Sequence, residues 1–169
     1  MPSCGARPGE TCHPEKHEPF ESFTGLDLGI MSESTVGTPL QILVYSHDST
    51  TRASVIAALG RQVATDLAEH RIVEIATGPA LRQYVDSKKR VDLFVLDGES
   101  NPEGGIGIAR ELKDEVFNCP PVLLIAGRPQ DSWLATWSRA DAVVLHPVDP
   151  FTFADKAADL LRSRSVASR

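Results

Sequence analysis

Five short apolar runs, each followed by an amphipathic stretch, constrain the fold of this chain more than any other feature. The runs are rich in β-branched and other aliphatic residues and lack the strict alternation of a half-exposed strand. They are LQILVYS (40–46), RIVEIATG (71–78), VDLFVLD (91–97), PVLLIAG (121–127) and AVVLHP (142–147). Continuous apolarity indicates strands that are covered on both faces, which is typical of a parallel sheet.

Helical spacing of apolar residues follows each run. In the first such stretch Val55, Ile56 and Leu59 share one face, and Gly60 is suited to end the helix. Similar stripes follow the other four runs. The alternation predicts an α/β fold class, a (βα)5 doubly wound sheet of five parallel strands joined by right-handed crossovers.

Composition changes near residue 38, and this change sets the predicted domain boundaries. Residues 1–38 carry a net charge of −4 and few apolar side chains, so we predict a disordered acidic N-terminal tail, with Met31 as an alternative start. We predict one folded domain over 39–163 and a short C-terminal tail over 164–169.

Charge and cysteine content exclude several classes of protein. A net charge of −6 does not favour nucleic-acid binding, which needs a positively charged surface. No apolar run is long enough for membrane insertion. Three cysteines do not form a disulfide framework, so a cytoplasmic location is expected. A zinc site near the N-terminus is not favoured, because its candidate ligands lack a CxxC pair. Those candidates are Cys4, Cys12, His13 and His17.

Polar residues collect where the predicted strands end, and parallel sheets of this kind bind their ligands at that edge. The residues at the strand ends are Ser46, His47 and Asp48 after the first, Asp97 and Glu99 after the third, Ala126 at the fourth and His146 at the fifth. Asp97 is the residue that this placement singles out for chemistry.

With this order of elements, residues 40 to about 162 resemble the receiver domain of bacterial two-component response regulators. The resemblance is carried by Leu96 and Asp97, by Gly105 eight residues later, by Arg52 and by Pro147. It implies the flavodoxin-like strand order 2-1-3-4-5 and a phosphoryl-accepting aspartate at Asp97.

Several site positions depart from the receiver pattern. Ser46 and His47 stand where receivers carry two acidic residues that hold Mg²⁺, and Asp48 is a substitute only if the turn shifts by one residue. The remaining departures are Ala126 for a hydroxyl residue, His146 for a lysine and Val143 for an aromatic residue. Because Mg²⁺ prefers carboxylate oxygens and the acidic pair is missing, we expect no cofactor and do not favour Mg²⁺ binding.

The resemblance and its departures favour an atypical, or pseudo-, receiver that acts through protein–protein contact and is not an enzyme. The alternative is a working phosphoacceptor that relays a phosphoryl group at Asp97. A small α/β enzyme or flavin carrier is less favoured, because no phosphate loop or nucleophile elbow is recognisable.

Two further hypotheses concern specific side chains. His47, Asp97 and His146 could converge, either as a transition-metal site or, as we prefer, with an imidazole that neutralises Asp97. Trp133 and Trp137 lie one turn apart on the predicted fourth helix, and with Val143 they mark a candidate partner surface. We expect Trp133 to pack on the sheet. Expected partners are proteins, namely a histidine kinase, a downstream effector or a second copy, and not nucleic acid.

Overall fold

The computed structural model describes residues 38–167. The predicted tail, with Met31 and the cysteine–histidine set, lies outside the described residues except for Thr38. Five strands and five α-helices alternate along the described chain, with one short 3-10 helix before the fourth α-helix. They are β1 (Leu40–Tyr45), α1 (Ser49–Leu59), β2 (His70–Ile75), α2 (Gly78–Asp86), β3 (Leu93–Asp97), α3 (Gly105–Glu115), β4 (Val122–Ala126), the 3-10 helix (Pro129–Asp131), α4 (Ser132–Ser138), β5 (Ala142–Leu145) and α5 (Pro150–Ala167).

All strand pairs are parallel, and the order in the sheet is β2-β1-β3-β4-β5. The predicted fold class and strand order are therefore confirmed. The central strands β3 and β4 are buried along their whole length, whereas the edge strands β2 and β5 are only partly buried. This difference arises because an edge strand has a neighbour on one side only.

Each face of the sheet is covered by its own set of helices. On one face Leu43 and Phe94 pack against residues of α2, α3 and α4. On the other face Ile42 and Val95 pack against residues of α1 and α5. Successive strand residues point to opposite faces, so continuous apolar runs are what two covered faces require.

Some boundaries differ from the predicted ones. The second strand ends at Ile75 and α2 already begins at Gly78, because Pro79 is well suited to the first turn of a helix. The predicted fourth helix, which carries both tryptophans, is short, since α4 spans only Ser132–Ser138. Helix α5 continues to Ala167, past residue 163, because no glycine or proline interrupts it there.

The register of the sheet brings the polar strand ends to one edge. Tyr45 pairs with Leu96, Asp97 pairs with Ile125, and Ala126 pairs with Leu145. The residues that follow these pairs thus share the carboxyl edge of the sheet. Within residues 38–167, no helix has both the length and the apolar character needed to span a membrane.

Candidate functional site at the carboxyl edge of the sheet

Asp97 lies at the centre of the candidate site and is almost completely buried, with 2% of its surface exposed. Its Oδ2 accepts a hydrogen bond of 2.6 Å from the Ser46 hydroxyl. Its Oδ1 accepts one of 3.0 Å from the backbone N–H of Glu99. The carboxylate is thus held by neutral donors from two loops.

Ser46 occupies the place of the first expected acidic residue and is fully buried. Besides donating to Asp97, its oxygen accepts a hydrogen bond of 3.1 Å from the backbone N–H of Asp48. Arg52 on α1 fixes this loop from outside, because its guanidinium donates to the Ser46 carbonyl at 2.7 Å. The loop is therefore shaped around a serine and offers Asp97 a donor in place of a second carboxylate.

His47 lies at the same rim, but its ring does not bond Asp97. Its Nδ1 accepts a hydrogen bond of 3.2 Å from the backbone N–H of Asn101, and the residue is exposed. Its backbone N–H donates to the Ser100 hydroxyl at 3.0 Å, and that hydroxyl lies 3.4 Å from Asp97 Oδ2. Ser100 connects the two loops and is a site residue that the sequence analysis missed. Its position three residues after Asp97, in a tight turn, was the available signal.

Asp48 does not serve as a substitute carboxylate in this site, so that possibility is corrected. It is the N-cap of α1, and its two oxygens accept hydrogen bonds from the backbone N–H groups of Thr50 and Thr51 at 3.0 and 3.2 Å. The Thr50 N–H, followed by the Thr51 hydroxyl, lowers the pKa of Asp48 below its usual value. An aspartate directly before a helix, here followed by Ser-Thr-Thr in the first turn, is a typical N-cap pattern.

His146 is the nearest group to Asp97 that can carry a positive charge among the ion pairs of the described chain. Its Nε2 lies 3.8 Å from Asp97 Oδ1, which is too long for a hydrogen bond but close enough for an ion pair when the ring is protonated. Its backbone N–H donates to the carbonyl of Ala126 at 2.9 Å. His47 and His146 thus share the rim of Asp97, and only His146 directs a ring nitrogen towards it.

Glu99 and Ala126 complete the predicted pocket. The exposed Glu99 carboxylate packs against Gly127, where an added Cβ would lie 2.7 Å from Oε1 of Glu99. Ala126 is buried and has no hydroxyl to offer a phosphoryl group. A side chain at 127 would therefore displace the exposed Glu99 carboxylate from this position.

The donor set does not fit Mg²⁺ binding of the kind that the receiver resemblance implies. Ser46 directs a proton at Asp97, His47 carries an imidazole, and both oxygens of Asp48 are committed to the helix cap. Over the described range 38–167, no group of three or more His, Cys, Asp and Glu side chains is placed to hold a metal ion. The site therefore presents Asp97 without the adjacent pair of acidic residues that the receiver resemblance implies for Mg²⁺ binding.

The candidate partner surface also differs from expectation. The Trp133 side chain is 64% exposed and does not pack on the sheet, which corrects the prediction for this residue. Trp137 is 50% exposed, and its ring lies 5.7 Å from the Arg110 guanidinium of α3. Val143 is partly buried and packs against the core beside α4. Both tryptophans of α4 are therefore exposed, and the Arg110 guanidinium of α3 lies beside the Trp137 ring.

A five-stranded 2-1-3-4-5 sheet with a buried aspartate at the end of its third strand is typical of the receiver class of protein. No family model matches the chain. The chain is 50% identical over 126 residues to uncharacterized response regulatory proteins from two strains of Mycobacterium tuberculosis, CDC 1551 and H37Rv. The match covers 75% of this chain and 94% of each relative. The chain therefore belongs to the response regulator family of two-component signalling and carries a receiver domain.

Solved structures show the same fold at low sequence identity. A CheY-like receiver domain protein from Methanospirillum hungatei matches with a TM-score of 0.63 and 16% identity, covering 77% of this chain and 99% of that one. The response regulator DrrB from Thermotoga maritima matches with a TM-score of 0.59 and 18% identity. That match covers 74% of this chain and 54% of DrrB, so this chain spans about half of that longer regulator.

Proposed function

We propose that this chain is an atypical receiver that acts by protein–protein contact and not by ordinary Mg²⁺-dependent switching at Asp97. The observation that supports this most is the 2.6 Å hydrogen bond from the Ser46 hydroxyl to the buried Asp97 carboxylate. In this arrangement a neutral donor satisfies Asp97 from the position where a receiver needs a metal-binding acid.

Phosphoryl transfer to a carboxylate depends on positioning and on neutralisation of negative charge. Here the nearest cation is His146, which is charged only when protonated and lies 3.8 Å away. Ala126 has no hydroxyl that could form a hydrogen bond with a phosphoryl group on Asp97. The Ser46 hydrogen bond, the distant imidazole of His146 and the missing hydroxyl at Ala126 together disfavour both the formation of a phosphoaspartate and its readout.

The alternative is a working phosphoacceptor that relays a phosphoryl group between histidine-containing proteins. Its support is the placement of Asp97 at the carboxyl end of β3, where Oδ1 faces the partly exposed His146. In this reaction an Asp97 oxygen forms a bond to phosphorus as the donor's bond to phosphorus breaks. The donor's leaving group then departs with the displaced electron pair.

Intact-protein mass measurement after incubation with acetyl phosphate distinguishes the two functions. We expect no phosphoryl adduct on the wild-type chain with or without Mg²⁺. A Ser46→Asp/His47→Asp variant, which restores the acidic pair, should gain an adduct that requires Mg²⁺. The matched control adds Asp97→Asn to that variant and should abolish the adduct. A wild-type adduct that Asp97→Asn removes would instead establish the relay.

The proposed output surface is the outward face of α4, defined by Trp133 and Trp137. Exposed tryptophans are strong anchors in protein interfaces because they bury a large apolar area with few rotatable bonds. A histidine kinase, a downstream effector or a second copy of the chain are the partners that we propose for it. The Arg110 guanidinium beside the Trp137 ring restricts that side chain before any partner arrives.

A further inference from the structure

A cavity of about 670 Å³ opens between α2 and α3, away from Asp97. Its walls come from the carboxyl-terminal halves of these two helices, from the start of β3 and from the loop before β4. Ligand-binding cavities in proteins commonly have volumes of about 300–1,000 Å³. This cavity is therefore large enough for a small organic molecule, and it lies at the opposite edge of the sheet from the receiver site.

The cavity has an apolar interior. Phe94 and Leu112 are buried core residues, and Val85 and Val116 are partly buried beside them. Phe117 lies at the opening with 99% of its surface exposed. A fully exposed aromatic ring next to an apolar cavity is an energetically unfavourable arrangement that an apolar occupant would relieve.

The opening of the cavity is positively charged, although the chain as a whole is acidic. Among the described residues that line it, five side chains are cationic and three are carboxylates. Two of these cations are already in ion pairs. Arg82 donates a forked pair of hydrogen bonds to Glu111 at 2.6 and 2.8 Å, and Arg90 contacts Asp92 at 3.1 Å. Lys88 and Lys89 are both exposed at the carboxyl-terminal end of α2. An occupant with a negative group would therefore find opposite charge at the opening.

We propose that this cavity is a binding site for a small amphipathic anion, a ring system that carries one carboxylate or phosphate group. The ring packs on Phe94, Val85 and Leu112, and Phe117 covers it. The anionic group remains at the opening, where Lys88 and Lys89 neutralise it. A fully apolar ligand would gain nothing from these exposed cations, and a highly charged ligand would gain nothing from the apolar wall.

Arg82 connects this cavity to the loop that follows Asp97. Its Nη1 donates to the Glu103 carboxylate at 2.9 Å, while the rest of its guanidinium contacts Glu111 in the cavity wall. The carbonyl of Glu103 also accepts a hydrogen bond of 2.6 Å from the Tyr45 hydroxyl. An occupant that moves Glu111 or Arg82 would thus act on the loop beside Asp97 through direct contacts.

Two fluorescent probes with the same rings test the charge and the apolar wall separately. Anilinonaphthalene sulfonate carries one anionic group, and phenylnaphthylamine has the same rings without it. We expect the full-length protein to bind the sulfonate at least about fivefold more tightly, because two exposed cations contribute a factor of this order. Amide resonances of Lys88, Phe117 and Asn118 should shift on titration with the sulfonate.

Variants of the cavity provide the controls. Lys88→Asn/Lys89→Gln should weaken sulfonate binding about fivefold and leave the neutral probe unchanged. Asparagine suits position 88 because this residue has a positive φ of 52°. Arg61→Ala, which removes an exposed cation elsewhere, should change neither probe. Val85→Phe should fill the cavity and weaken both probes, and a thermal melt should show that this variant is folded.

Three results would overturn the proposal. Resonance shifts centred on Trp133 and Trp137 would place the probe on the tryptophan surface. Equal affinity for both probes, or no effect of the lysine variant, would remove the role of the positive opening. The lysine variant changes only exposed side chains, so this part of the test remains valid if Val85→Phe fails to fold.

Discussion

At the scale of single residues, the site is defined by what bonds the Asp97 carboxylate. Asp97 accepts hydrogen bonds from the Ser46 hydroxyl and the Glu99 N–H, and the Ser100 hydroxyl lies 3.4 Å from its Oδ2. Sequence reasoning identified Asp97 because it ends a buried strand. It could not predict the direction of the Ser46 hydrogen bond, because that depends on the conformation of the turn at residues 46–48.

Ser46→Ala should destabilise the domain, because the buried Asp97 carboxylate loses its shortest hydrogen bond. We expect the free energy of unfolding in urea to fall by about 1–3 kcal/mol. Ser54→Ala is a matched control, since the exposed Ser54 hydroxyl donates to the Thr50 carbonyl on the surface of α1. That change should stay within about 0.5 kcal/mol of wild type. Equal effects of the two substitutions would contradict the structural role of Ser46.

Asp48 makes the domain sensitive to acid. Its pKa is lowered in the folded state, so its ionised form contributes stability that is fully present above the unfolded value and is lost as the pH falls through the lowered one. Asp48→Asn keeps a good cap but cannot ionise. Wild type should therefore have the higher Tm at neutral pH, and the difference should shrink below about pH 4. Thermal unfolding of both proteins across this range, followed by circular dichroism, measures it; a constant difference would contradict the assignment.

At the scale of elements, continuous apolar runs were sufficient to predict five parallel strands, because both faces of the sheet are covered by helices. The apolar pattern could not show which glycine at the start of α3 is needed for packing against β3. An added Cβ at Gly105 would lie 2.5 Å from the backbone oxygen of Asp97, whereas at Gly107 it would meet nothing within 4 Å. Gly105 therefore permits α3 to begin against the end of β3, whereas Gly107 has no such role.

Alanine at these two positions should change stability in opposite directions. Gly105→Ala should destabilise the domain by about 1–3 kcal/mol, because backbone atoms on both sides of the contact must move apart. Gly107→Ala should stabilise it by about 0.4–1 kcal/mol, because alanine favours the helix and restricts the unfolded chain. Urea unfolding measures both. If both substitutions stabilised the protein, the close approach of α3 to Asp97 would be refuted.

At the scale of the whole molecule, four aromatic side chains of the described chain are at least half exposed: Phe117, Trp133, Trp137 and Phe151. The expectation that Trp133 packs on the sheet was wrong, since its side chain is 64% exposed on α4. Helical spacing places residues on a common face, but it cannot tell whether that face is turned inward or outward.

Trp137→Ala should reduce partner capture without unfolding the domain. The ring is half exposed and lies beside the Arg110 guanidinium, so we expect the loss of stability to be only about 1 kcal/mol. If Trp137 is an interface anchor, its replacement by alanine should reduce the amount of captured partner at least about fivefold in affinity capture from native cells. Phe117→Ala is the control, because it removes another exposed ring at a different place on the domain. If the Trp137 and Phe117 variants captured partners equally well, the output surface would have to lie elsewhere than on α4. If only the Trp137 variant lost its partner, the outward face of α4 would be the surface through which this receiver domain contacts that partner.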